Sequence, residues 1–215
     1  MTRALIQRWH DEFAPGLEPQ PIPDGADISG PIEPLVPYGL QYRLTLPDGS
    51  SFPRHQSGPG ATIAVTDGQR IALSRDYRPE TGVSILKCCG GFAGKNREVA
   101  TEIVNIFNRL SRAPHMTIGQ HEDYLELRIF LNKLLQREYG EFRLNNRYVS
   151  FIDKPIGNPN IRICSIMGYL LISQEEFTAH AWPFVVTHDE ARNLCNVRAF
   201  GDENTDRLIR RLLDF

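Results

Sequence analysis

The apolar positions fall into two periods, and the change between them divides the chain into elements. Leu5, Ile6, Trp9 and Phe13 recur at helical spacing, so residues 1–14 are expected to form a short amphipathic helix. Residues 38–46 alternate, 47–50 (Pro-Asp-Gly-Ser) form a turn, and a second strand runs towards His55. A second hairpin is expected from 61–65 and 70–75, joined by Thr66-Asp67-Gly68-Gln69, where Asp-Gly supplies the backbone angles of a tight turn. Residues 83–89 read as a buried strand entering a glycine loop, Gly90-Gly91-Phe92-Ala93-Gly94. Two helices follow. Val99, Ile103, Ile106, Phe107 and Leu110 make one stripe over 98–110, and Leu127, Phe130, Leu131, Leu134 and Leu135 make another over 124–137. Strands are expected at 147–152, 161–173 and 184–186. Thr187 and Glu190 have capping-box spacing at the start of a helix through Leu194, and Leu208, Ile209, Leu212 and Leu213 mark a last helix over 204–213.

Between Pro15 and Pro37 the pattern stops. Seven prolines there exclude a helix or a central strand, leaving an extended arm that packs on the domain body or on a second subunit.

Composition narrows the function classes. The chain has 215 residues, 41% of them hydrophobic, enough to bury one substantial core. Its net charge of -2 argues against general nucleic-acid binding by charge. No apolar run spans a bilayer and the N-terminus lacks a signal-peptide core, so no membrane association and a cytoplasmic location are expected. Cys88, Cys89, Cys164 and Cys195 lack metal-site spacing and read as reduced core thiols; His121, His180 and His188 share no ligand spacing either.

Several segments together resemble one family, the Nudix hydrolases of the ADP-ribose pyrophosphatase branch. Gly119 stands 21 residues before Gly140, the frame of a Nudix box that ends in Leu134-Leu135-Gln136-Arg137-Glu138-Tyr139-Gly140. Leu73-Ser74-Arg75-Asp76-Tyr77-Arg78-Pro79 is similar to the branch's arginine-bearing strand, Lys87-Cys88-Cys89-Gly90-Gly91 to the strand that opens its box, and the capping box with Gly201-Asp202-Glu203-Asn204-Thr205-Asp206 to its ending. The resemblance covers residues 38–215. It implies an α/β/α sandwich with a mixed central sheet, preceded by a proline-rich N-terminal arm and hairpin. Residues 1–37 would be the helix and arm, and 38–215 the Nudix-like domain. Because the strand before Gly90 fits better than Gly119 as the start of the box, residues 92–119 read as an insertion.

The box departs from the family where its charges should be. In this frame Leu125, Leu134 and Arg137 stand at three of the four glutamate positions, and Lys133 at the arginine; Glu138 keeps the fourth. Diphosphate hydrolysis of this type needs magnesium or manganese on hard oxygen ligands, which Glu138 alone supplies poorly. The resemblance therefore implies a protein that binds a nucleoside-diphosphate-derived or other diphosphate ligand, or a protein partner, with little hydrolysis. Two alternatives stand beside it. In one, relocated carboxylates restore a hydrolase, with Glu138 and Glu126 catalytic and Glu138, Glu122 and Glu126 as metal ligands, Asp123 and Glu141 being further substitutes. Otherwise the fold serves metal-independent biosynthetic chemistry around 88–94. Arg75, Arg78, Gly90, Gly91 and Gly94 are the expected ligand-binding residues, and a homodimer through the arm is expected.

Overall fold

A computed structural model describes residues 2–35, 39–79, 82–113, 115–119, 122–154, 161–200 and 202–214. The first helix, α1 (Thr2–Phe13), turns Ile6, Trp9 and Phe13 into the main core. The proline segment then condenses on the body of the same chain. Its second half is a strand, β1 (Asp27–Leu35), antiparallel to β2 (Gly39–Thr45), which pairs in turn with β3 (Ser51–Ser57). β1 lies at a sheet edge, the place in a sheet where prolines such as Pro31 and Pro34 are tolerated. The arm is therefore a paired edge strand rather than only an extended segment. Tyr38, expected to begin β2, lies outside the described residues.

The second hairpin is β4 (Gly60–Thr66) and β5 (Arg70–Arg78). In its turn the Asp67 carboxylate accepts from the backbone N–H groups of Gln69 and Arg70, at 2.9 and 2.7 Å, and Gly68 takes φ +88°. The expected strand over 83–89 is two, β6 (Val83–Lys87) and β7 (Cys89–Phe92), with Cys88 between them. Gly90 and Gly91 thus lie inside a strand, which corrects the expected glycine loop. Beyond it come α2 (Arg97–Arg109), capped by Asn96, and a short unexpected strand, β8 (Met116–Ile118). A 3-10 turn at Glu122–Tyr124 leads into α3 (Leu125–Tyr139).

The remaining elements are β9 (Val149–Asp153), β10 (Ile161–Arg162), β11 (Ser165–Leu171), α4 (Gln174–Ala179), β12 (Phe184–Thr187), α5 (His188–Asn196) and α6 (Glu203–Leu213). The short α4, started by Ser173, was not expected from the pattern. The single strand read over 161–173 is two, and they enter different sheets. β10 joins β3 in a four-stranded sheet, while β11 runs parallel to β4 in the middle of an eight-stranded one, in which β12-β5-β4-β11-β9-β8 form the main path and β6 and β7 pair with β5 and β4 beside it.

That larger sheet is mixed and covered on both faces, giving an α/β/α sandwich. β4 is buried at every position because alternate residues face different layers. Ala61, Ile63 and Val65 join the core built with α1, α2 and α3, whereas Ala64 joins the one built with α5 and α6. Among the described residues no helix is long and apolar enough to cross a membrane.

Candidate functional site

The site begins where two strands part. β4 and β5 pair only at Val65 with Ala72 and Thr66 with Ile71. Beyond that point β4 pairs with β7 and β5 with β6, so the chain crosses the opening wedge at Cys88. The crossing is pinned from below: Cys88 N donates to Thr205 Oγ1 (3.0 Å), and that hydroxyl donates to Asp202 Oδ2 (2.5 Å), the N-cap of α6.

On the other side of β7 lies α3. A Cβ on Gly91 would stand 2.8 Å from Leu134 Cδ2, and one on Gly90 would stand 3.1 Å from the backbone oxygen of Ala61. These glycines serve close packing of a helix and a neighbouring strand on β7, which a side chain would block. The wedge that remains is a cleft of about 720 Å³, with Asp76, Arg78, Lys87, Arg137 and Glu138 around its polar end. Phe92, Phe130 and Leu134 also line the cleft and are its large apolar residues.

The polar groups are linked. Lys87 Nζ lies 3.3 Å from Asp76 and 3.6 Å from Glu138, and Arg78 lies 3.4 Å from Asp76. Arg137 holds Glu138 Oε1 through both Nε (2.9 Å) and a terminal nitrogen (2.6 Å), and the same nitrogen donates to Gly90 O at 2.9 Å. The Glu138 side chain is 10% exposed and that of Arg137 56%, so the carboxylate is enclosed while the guanidinium still reaches solvent.

Of the sequence-derived candidates, the fold brings Glu138, Arg78, Gly90 and Gly91 together at the cleft. It separates others. Arg75 and Arg78 are an odd number of residues apart on β5 and so project to opposite faces; Arg75 is exposed and does not line the cleft. Gly94 also lies outside the lining; with φ +63° it makes the turn before Asn96 caps α2. Asp76 and Lys87 were not singled out, although even spacing from Arg78 places Asp76 on its face.

The relocated metal site does not form as expected. Glu126 and Glu138 stand at opposite ends of α3, twelve residues and so about 18 Å apart along the axis, too far to share one ion. The Glu122 side chain lies outside the described residues. Glu141 pairs with Arg143, its side chain 95% exposed. Among the described residues no group of three or more His, Cys, Asp or Glu is placed to hold a metal, and the two cations on Glu138 oppose a third.

The cysteines are no better suited to nucleophilic chemistry. Burial, reinforced by Asp202, pushes the Cys88 thiol far up, and burial with Glu138 does the same to Cys89. Both remain neutral thiols at physiological pH.

Fold and site together define an α/β/α protein with a polar cleft at a split in its central sheet. No family model matches the chain, and no curated protein does. Among solved structures it is similar to one titled "Crystal structure of ADP compounds hydrolase", at 14% identity and a TM-score of 0.46, over 89% of this chain and 90% of that one. At that level of likeness no activity, ligand or family passes from one chain to the other.

Proposed function

We propose that the cleft binds a diphosphate-bearing small molecule without hydrolysing it. The observation that carries this reading is the engagement of Glu138 by Arg137 and Lys87, which puts two fixed positive charges where a hydrolase of the resembled family would need a divalent ion. Arg137 is the group best placed to receive the ligand. Its planar donors suit phosphate oxygens, and its exposed side chain can present them to an incoming anion while it stays on Glu138. Lys87 and Arg78, on neighbouring strands, add charge on the far side, while Asp76 keeps both in place. Hydrolysis is a different demand. It requires activation of water and neutralisation of the charge that develops on the diphosphate, and Glu138, already held by Arg137, is poorly placed to do either.

The test is calorimetric titration of pyrophosphate and ADP-ribose in EDTA, alongside product release with magnesium or manganese. Binding in EDTA, weakened by Arg137→Ala, with no release above the blank, is the expected result. Metal-dependent release that Glu138→Gln abolishes would overturn the reading in favour of a hydrolase.

A further inference from the structure

The cleft has walls from both faces of the sheet, because the parting of β4 and β5 opens a gap through it. Side-chain alternation assigns the walls. On β5, Ala72 joins the core built with α3, so Asp76 and Arg78 point the same way, and Lys87, in register with Ser74, follows them. Thr62 alternates with Ala61 and Ile63 on β4, and Ser165 with Ile166 on β11. Both therefore point to the other face, where Ala64 and Met167 pack with α6. Asp202 and Asn204, at the start of α6, line the cleft from that face too.

The two walls differ in charge. On the α3 face three cations, Arg78, Lys87 and Arg137, stand among two carboxylates that they already hold, Asp76 and Glu138. On the α6 face Asp202 is the charged residue of the lining, and among the described residues no Lys or Arg pairs with it. It accepts from Thr205 through the backbone N–H (2.9 Å) and the hydroxyl (2.5 Å), both on Oδ2, which leaves Oδ1 for another donor. The start of α6 offsets only about half of its charge. Thr62 and Ser165 are 5% and 3% exposed, yet neither hydroxyl has a hydrogen-bond partner among the described residues. Buried hydroxyls are ordinarily bonded, so these two are set to bond what enters the cleft.

We propose that the ligand is zwitterionic, a diphosphate ester with a terminal ammonium group. Its phosphates would rest on Arg137 and Lys87, and its ammonium would reach through the gap to Asp202, Thr62 and Ser165. This rests on the diphosphate-binding reading above and adds the second half of the ligand. An ammonium donates up to three bonds to oxygens and brings the positive charge that the protein does not supply to Asp202, whereas a ligand hydroxyl offers one donor and no charge.

The experiment is calorimetric titration of the full chain in EDTA with aminoalkyl diphosphates of increasing chain length. Each is compared with the alkyl diphosphate in which a methyl replaces the ammonium and with the corresponding hydroxyalkyl diphosphate, and pyrophosphate is the reference. The best-fitting amine is expected to bind about tenfold more tightly than its methyl counterpart. Asp202→Asn keeps a cap for α6 but removes the charge, and should cut that ratio at least about fivefold. Thr62→Val removes a hydroxyl without a protein partner, so it should cut the ratio about twofold while a thermal melt shows no loss of Tm.

Pyrophosphate binding with equal affinity for amine and methyl compounds at every length would overturn the ammonium subsite and leave the diphosphate reading intact. So would hydroxyalkyl compounds that bind as tightly as the amines, or an amine advantage that Asp202→Asn does not reduce. Binding of none of the compounds, pyrophosphate included, would overturn the diphosphate reading itself.

Discussion

The two ends of α3 are held by opposite kinds of chemistry. At the N-terminal end Tyr124 offers no side-chain cap, and the need is met from another helix: Glu102 of α2 accepts from Leu127 N at 2.6 Å. At the C-terminal end His180 Nε2 donates to Tyr139 O at 2.9 Å, inside an aromatic cluster where the Trp182 ring lies 5.2 Å from Tyr139 and 4.9 Å from Phe142. The polar cap of one end is a half-buried carboxylate, and the other end is held by interlocked rings. The candidate site stands at the second. A site that must hold Arg137 and Glu138 in place over β7 gains from a rigid support, and the ring cluster supplies it.

The largest effect should come from breaking that support. Tyr139 is buried, and its hydroxyl donates to Ala72 O at 3.1 Å, tying the helix to β5. Tyr139→Ala is expected to cost about 4 kcal/mol and lower Tm by roughly 10 °C in a thermal melt. Tyr139→Phe keeps the ring and loses only the hydrogen bond, so about 1 kcal/mol is expected. Comparable losses from both substitutions would show that the hydroxyl, not the ring packing, secures this end.

One residue away, Arg137→Ala should separate function from stability. The Arg137 side chain is 56% exposed but holds the enclosed Glu138 carboxylate, so chemical denaturation should find a loss of about 1–2 kcal/mol, well below that of Tyr139→Ala. Pyrophosphate affinity should fall roughly tenfold or more, the effect of losing a charge-assisted contact. A stability loss as large as that of Tyr139→Ala would make Arg137 a packing residue and remove it from the site.

These contrasts also explain what the sequence could and could not reveal. The capping box of α5 was legible because both partners lie within one turn: Glu190 N donates to Thr187 Oγ1 at 3.3 Å and Thr187 N to Glu190 Oε2 at 2.7 Å. The caps of α3 were not, because Glu102 is 25 residues from Leu127 and His180 is 41 from Tyr139. The hairpin of β4 and β5 announced itself through Asp67 and Gly68, but the parting of the same two strands, which makes the cleft, depends on the later strands they pair with. Gly90 and Gly91 resembled a loop because glycine marks both turns and close contacts, and only Leu134 against Gly91 distinguishes the cases. Arg75 was separable from Arg78 by parity alone, once both were placed on one strand.

The smallest effect belongs to the polar end of α3, and its sign depends on pH. Burial raises the Glu102 carboxyl above its ordinary value, and nearby Glu126 and Glu98 push the same way, while the N–H groups of Leu127 and Glu126 only partly offset them. A carboxyl with a raised folded-state pKa favours the fold most fully below its unfolded pKa of about 4.3, and that contribution is lost as pH rises through the folded value. At neutral pH the charged Glu102 therefore carries an electrostatic cost along with its capping bond. Glu102→Gln keeps an oxygen that can accept from Leu127 N and removes the charge. Urea denaturation should find the variant no less stable than wild type at pH 7, with any gain under about 1 kcal/mol, and relatively less favourable at pH 4. A variant clearly weaker at pH 7 would mean that the negative charge on the helix N-terminus outweighs its burial. The two ends of α3 would then differ in the strength of their caps rather than in the kind of chemistry that holds them.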